Sequence, residues 1–207
     1  MNIDHPAQVQ IDALRANVST SFEESRAMPP QVYTSQEFNK AELEQIFKKD
    51  WFCVGRASAL AKPGDYVTCD LAEQPVIILR DHDNNLRAMS NVCRHRMSTL
   101  LSGRGSAKVI VCPYHAWTYN LDGSLRGAPA MNANKAFCKN QYRLPTIACE
   151  EWLGWVFINL NPDAKPVSKE LVEVEQLVKG YDMSNYSETF FEEHLWDTNW
   201  KILAENF

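Results

Sequence analysis

Asn91-Val92-Cys93-Arg94-His95-Arg96 and, with sixteen residues between His95 and Cys112, Cys112-Pro113-Tyr114-His115-Ala116-Trp117-Thr118-Tyr119 are the two stretches on which the reading of this chain turns. Each offers one thiolate and one imidazole, as Cys-x-His in the first and Cys-x-x-His in the second. Zinc fingers usually pair Cys with Cys and His with His. Mixed pairs on two loops suit a two-iron cluster instead, in which one iron takes both thiolates and the other both imidazoles. Cys93, His95, Cys112 and His115 are therefore the candidate metal ligands. A structural zinc site and a chance spacing are the alternatives.

Outward from these loops the sequence has the period of strands. From about residue 52, short β-rich runs at Tyr66–Leu71, Pro75–Arg80, Leu86–Asn91, Val109–Cys112, Trp117–Asn120, Ile147–Cys149 and Gly154–Asn159 alternate with turn signals. Lys62-Pro63-Gly64-Asp65, the polar run 81–85 and Leu121-Asp122-Gly123-Ser124 supply the turns, the last with an Asp-Gly pair. This predicts a small antiparallel β domain. Thr34 and Glu37 have the spacing of a capping box, and Phe38, Leu43, Ile46 and Phe47 recur at helical intervals, which predicts a helix over 35–49. Residues 168–180 read as a second helix capped by Ser168. Residues 1–33, interrupted by Pro6, Pro29 and Pro30, read as an irregular polar arm.

Composition narrows the function. The chain has 207 residues, 45% hydrophobic and 23% charged, with a formal net charge of −5, which is the range of ordinary globular proteins. That charge gives no footprint for nucleic acid, no apolar run approaches a membrane span, and the N-terminus lacks the form of a secretory signal. A cytoplasmic location is the expectation. The remaining cysteines, Cys53, Cys69, Cys138 and Cys149, are expected to be reduced, part-buried packing residues.

The two ligand stretches resemble the Rieske domain of ring-hydroxylating oxygenase α subunits. The resemblance extends to Ser102-Gly103-Arg104-Gly105, Leu121-Asp122-Gly123, the run from Glu151 to Asn159, and Asn199-Trp200-Lys201 through Glu205-Asn206-Phe207, so it covers about residues 36–207. It implies an α+β chain: an N-terminal arm and helix (1–50), a small antiparallel all-β Rieske [2Fe–2S] domain (51–160), and a linker helix with the start of a truncated α/β catalytic domain (161–207). Neither loop carries an extra cysteine, and Ala116 and Trp117 follow His115. Side-chain donors to the cluster sulfurs are therefore expected to be scarce and the potential low.

In this family the catalytic domain holds a mononuclear Fe(II) by two histidines and a carboxylate, which the resemblance places beyond Phe207. The chain is accordingly expected to be a truncated oxidoreductase subunit with no catalytic residues of its own. It would take electrons from an NAD(P)H-dependent reductase or ferredoxin, and in full length it would form a homotrimer. The O2-dependent substrates that the resemblance admits are aromatic rings, aromatic ethers and quaternary amines, with ring hydroxylation the nominal choice. A stand-alone Rieske ferredoxin is the alternative, against which the 1–50 arm and the 168–207 extension argue.

The other polar residues near the motif have plainer readings. Tyr114 and Trp117 are expected to pack, Arg94 and Arg96 either to offset cluster charge or to be solvated, and His82 and His194 to lie at the surface. Glu205 and Asn206 are not ligand positions.

Overall fold

The computed structural model describes residues 5–131 and 133–206. Its helices are α1 (Gln8–Val18), α2 (Gln31–Thr34), α3 (Gln36–Glu42), α4 (Val167–Glu170), α5 (Val172–Val178) and α6 (Trp200–Asn206). Its strands are β1 (Phe52–Arg56), β2 (Asp65–Leu71), β3 (Gln74–Arg80), β4 (Leu86–Ser90), β5 (Arg104–Ser106), β6 (Ile110–Val111), β7 (Thr118–Tyr119), β8 (Leu125–Gly127), β9 (Thr146–Trp152) and β10 (Trp155–Asn159). Two compact units result, one from the chain up to Phe47 together with the chain from Phe191 onward, the other Lys48–Phe190.

The larger unit is the expected antiparallel β structure. Seven strands form one sheet in the order β1-β10-β9-β4-β3-β2-β5, and three form another, β6-β7-β8. Two tight hairpins set the register. Leu71 pairs with Gln74 across Ala72 and Glu73, both at positive φ, and Trp152 pairs with Trp155 across Leu153 and Gly154, also both positive, the backbone of a two-residue turn whose twist matches its strands. Gly154 is required for space as well, because a Cβ there would collide with the guanidinium of Arg56. That guanidinium is buried, lies 4.7 Å over the Trp155 ring, and donates to the carbonyls of Leu153 (3.1 Å), Met183 (3.0 Å) and Tyr186 (2.6 Å). It straps the 183–186 segment to the β9–β10 turn.

The core lies where the two sheets meet. Ile77, Leu79 and Met89 of the large sheet pack with Ile110, Tyr119 and Leu125 of the small one, together with Trp117 and Leu121, and Cys93 and Cys112 belong to the same buried group. Each such aliphatic or aromatic side chain contributes roughly 1.5–3 kcal/mol by leaving water, so the loops that carry the candidate ligands rest on a buried core of the unit.

The smaller unit corrects three expectations. The arm expected to be irregular over 1–33 is helical in much of its described part, residues 5–33, since α1 lies there, α2 begins there and Ala7, Val32 and Phe38 are buried against Ile11 and Leu14, while residues 1–4 lie outside the described residues. The cap of α3 is Ser35 rather than Thr34: its Oγ accepts from the Phe38 N–H at 3.2 Å. The helix expected over 35–49 ends sooner, as α3 followed by a π-helical turn over Leu43–Phe47.

On α6, Lys201 is 6% exposed and its Nζ donates to both carboxylate oxygens of Glu42 at 2.8 Å, with the rings of Tyr33, Phe38 and Trp200 around it. A buried charge pair of this kind is costly to break, because either partner alone would be left unneutralised.

In the larger unit the helix expected over 168–180 is divided into α4 and α5 at Leu171, with Pro166 rather than Ser168 at its start. Among the described residues no helix is long and apolar enough to cross a membrane.

Candidate metal centre

The two loops that carry the candidate ligands share one backbone form. In the first, the Cys93 N–H donates to the Ser98 carbonyl (2.8 Å) and the Met97 N–H to the Cys93 carbonyl (3.1 Å); in the second, the Cys112 N–H donates to the Trp117 carbonyl (2.8 Å) and the Ala116 N–H to the Cys112 carbonyl (3.0 Å). The residue four beyond each cysteine is left-handed, Met97 at φ 57° and Ala116 at φ 56°. The first loop is tied down by buried Asn91, whose side chain accepts from the N–H groups of Leu100 (3.3 Å) and Leu101 (2.9 Å) and donates to the Leu101 carbonyl (2.8 Å). At the matching position of the second loop stands Ile110, which is fully buried.

This duplication brings the four residues together as two pairs. The Cys112 sulfur meets the Cys93 side chain, both residues being buried, and the rings of His95 and His115 have centroids 4.8 Å apart. Among the described residues no three His, Cys, Asp or Glu side chains gather as a single ion would require. Two sulfurs beside two imidazoles is the donor set of a two-iron cluster in which a pair of cysteines ligates one iron and a pair of histidines the other. The His95 Nδ1 is buried and has no hydrogen-bond partner, an orphaned lone pair of the kind a metal satisfies. The residues present therefore fit such a cluster.

The surroundings of the sulfurs correct the expectation of scarce donors. The Tyr119 hydroxyl lies 3.3 Å from Cys93 Sγ and accepts from the Arg94 N–H at 3.0 Å. Burial, followed by the contact with Cys93, pushes the phenol well above its ordinary range, and toward a metal-binding thiolate, which carries no proton, the O–H is the donor. At Cys112, burial works against the thiolate, but the backbone N–H groups of Tyr114 and His115 and the side chains of Cys93 and Ser98 outweigh it and hold the thiol below its usual value.

The imidazoles differ in setting. The His95 ring is half-buried and stacked on Trp117 at 4.7 Å and 5°, and burial, then His115 and Arg96, hold it below the usual imidazole value. His115 is exposed, with the Tyr114 ring at 3.7 Å. Trp117 is 2% exposed and packs as expected, while Tyr114 is 57% exposed and does not.

The residues set aside in the sequence have surroundings and partners of their own. All six cysteines are free, and burial pushes the Cys149 thiol up to about 12, as suits an inert packing residue. Cys53 and Cys138, expected to be part-buried, are exposed. His82 is exposed and contacts the Lys108 carbonyl, and exposed His194 lies 3.2 Å from Glu192. Glu205 accepts from the Tyr33 hydroxyl at 2.6 Å. Tyr119, quoted in the second stretch but given no role by the sequence, is the further residue that the structure places against a candidate ligand.

Comparison with known proteins gives the segment a family. Residues 50–147 match the model of the Rieske [2Fe-2S] domain. The chain is 40% identical over 184 residues to the carnitine monooxygenase oxygenase subunit of Acinetobacter pittii (strain PHEA-2), covering 86% of this chain and 49% of that protein. Among solved structures, the apo form of a quaternary ammonium Rieske monooxygenase superposes with a TM-score of 0.81 at 38% identity, over 86% of this chain and 53% of that one. Another quaternary ammonium Rieske monooxygenase, described for carnitine oxidation by gut microbiota and inter-subunit electron transfer, superposes at 0.70 with 42% identity, over 73% and 42% of the two chains. The chain spans about half the length of the curated relatives it matches.

Proposed function

We propose, for a chain that belongs to the Rieske oxygenase subunits, that Cys93, His95, Cys112 and His115 hold its [2Fe–2S] cluster and that the chain is the electron-relay part of an oxygenase acting on a quaternary ammonium compound. The observation that carries the ligand assignment is the duplicated turn, which brings sulfur beside sulfur and imidazole beside imidazole. The cluster, when bound, supplies a one-electron couple.

The chain's own residues do the rest. Both loops hold their cysteines in the shared core and away from water. The Tyr119 hydroxyl and the N–H groups of Tyr114 and His115 direct positive dipoles at the sulfurs, which favours the more negative, reduced state. Trp117 fixes the plane of the His95 ring, and His115 is presented at the surface.

Of the three relatives described above, one is named for carnitine, a quaternary ammonium compound, and two for quaternary ammonium compounds as a class, which favours that substrate class over the ring hydroxylation chosen from sequence. A reductase partner and a subunit-to-subunit path are proposed with it, in keeping with the inter-subunit transfer described for the relative. The helical unit from residues 5–47 and 191–206 lies outside the matched segment 50–147, and a stand-alone carrier would have no use for it.

Anaerobically prepared protein should contain about two irons and two acid-labile sulfides per chain, and replacing Cys93 or Cys112 with serine should abolish the visible spectrum. Zinc in place of iron, or a spectrum that survives the Cys93→Ser change, would overturn the assignment.

A further inference from the structure

We propose that the groove beside the second ligand loop is the docking surface for an acidic one-electron donor protein, and that the rings of Phe137, Trp117 and His95 join it to the metal centre. The inference rests on the reading of those four residues as cluster ligands. The groove encloses about 770 Å³, and its walls include Ala116 and Thr118 of the second loop, Arg126 of β8, and Phe137, Cys138 and Lys139. Behind its wall the Phe137 ring meets Trp117 edge-on at 5.6 Å, and Trp117 lies flat on His95 at 4.7 Å. Because Trp117 is almost wholly buried, this is a dry, closely packed route from the groove to a ligand.

Charge identifies the occupant. Between Asp83 and Glu150 the sequence holds nine Arg and Lys residues and a single acid, Asp122, a net +8 in a chain whose total is −5. Three of those cations are neutralised locally, Arg87 by Asp81, Arg104 by Glu188 and Arg143 by Asp122. Among the described residues no carboxylate pairs with Arg94, Arg96, Arg126 or Lys135, all of them exposed, and Lys139 donates only to the Arg126 carbonyl. The unpaired cations are spread across the ligand loops and the groove rather than focused on one point. Such a field steers a macromolecular face of opposite sign more than it recognises a small anion. In the transfer itself the donor is oxidised by one electron and the metal centre reduced by one, with no bond made or broken.

The test uses the cluster-loaded chain and two chemically reduced one-electron donors, followed by stopped-flow bleaching. One is a plant-type [2Fe–2S] ferredoxin, an acidic protein whose potential lies below the Rieske range; the other is the radical cation of methyl viologen. Transfer from ferredoxin should slow as salt is added. At low ionic strength, Arg126→Glu combined with Lys139→Glu should slow it by about tenfold or more while leaving viologen reduction no slower, and the same pair should weaken ferredoxin binding to the cluster-free chain by calorimetry.

The proposal is overturned by a ferredoxin rate that stays within about twofold of the wild type. It is also overturned if Arg94→Glu with Arg96→Glu has the larger effect, or if the groove variant changes the sedimentation of the chain, which would assign the groove to a second copy. A wild-type sample without iron and sulfide would instead count against the ligand assignment.

Discussion

The loops at Cys93 and Cys112 have the same backbone and opposite surroundings. Each makes the same pair of main-chain bonds and places a left-handed residue four beyond its cysteine. The first, however, rests on a buried amide and carries a half-buried imidazole stacked on Trp117, whereas the second rests on a buried aliphatic side chain and presents its imidazole to solvent. The turn that presents each Cys–His pair is thus a backbone property, written twice, while the anchoring of each loop and the exposure of its imidazole are side-chain properties that each loop settles separately.

The largest break in the symmetry should come at the loop bases. Replacing Asn91 with alanine leaves the Leu101 N–H and carbonyl without their side-chain partners, while the Leu100 N–H keeps the Asn91 carbonyl, and should cost about 2 kcal/mol of the larger unit's stability in urea unfolding. Ile110→Val, the mildest change at the matching position, should cost only about 1 kcal/mol. Equal losses would mean that the two loops are anchored in the same way after all.

Much of this centre could be read from residue types and spacing. The four candidate ligands, strands β2, β3, β4, β9 and β10 and the turn at Asp122-Gly123 all carry local signals, and the described structure places a turn or strand at each. What was missed has identifiable physical causes. Pro6, Pro29 and Pro30 were read as breakers, yet they precede α1 and α2, where a missing N–H costs nothing. In β5 all three residues are exposed, so Arg104–Ser106 has no apolar alternation to read, and β1 is disguised by a bulge at Gly55. The turn at Ala72-Glu73 lacks the glycine that usually marks it. Tyr119 has no signal among the residues next to His115. Trp117 and Tyr119 are two apart in an extended segment, so they share a face, and that period was the signal.

Tyr119 contacts the sulfur of the first loop alone, so its removal should tilt the comparison without breaking it. Tyr119→Phe keeps the buried ring and deletes the O–H donor to Cys93 Sγ. Since that donor favours the reduced state, the midpoint potential should fall, by about 50 mV if the bond contributes about 1 kcal/mol more to that state. Redox titration reads this directly, and an unchanged potential would mean that the backbone donors at Cys112 set the tuning alone.

The smallest effect should come from outside both loops and mark where their control ends. The Asp81 carboxylate, at the turn between β3 and β4, is buried and accepts from the N–H groups of Asp83 (2.9 Å) and Asn85 (2.8 Å) and from Arg87 Nε (2.5 Å). Burial alone would raise its pKa, but the bonds from Arg87 and Asn85 more than reverse that, and it lies below the usual carboxylate value. A depressed folded-state value means that Asp81 stabilises the fold at every pH above its unfolded value of about 3.9, and that this contribution fades as pH falls toward and through the folded value. Because Arg87 is partly exposed, the ionic share is screened, and Asp81→Asn should cost about 1 kcal/mol at neutral pH. Measured by urea unfolding between pH 7 and pH 3, the gap between wild type and variant should close as the solution is acidified. A gap that widened instead would place the acid sensitivity of this unit elsewhere, with the ligand loops the first region to test.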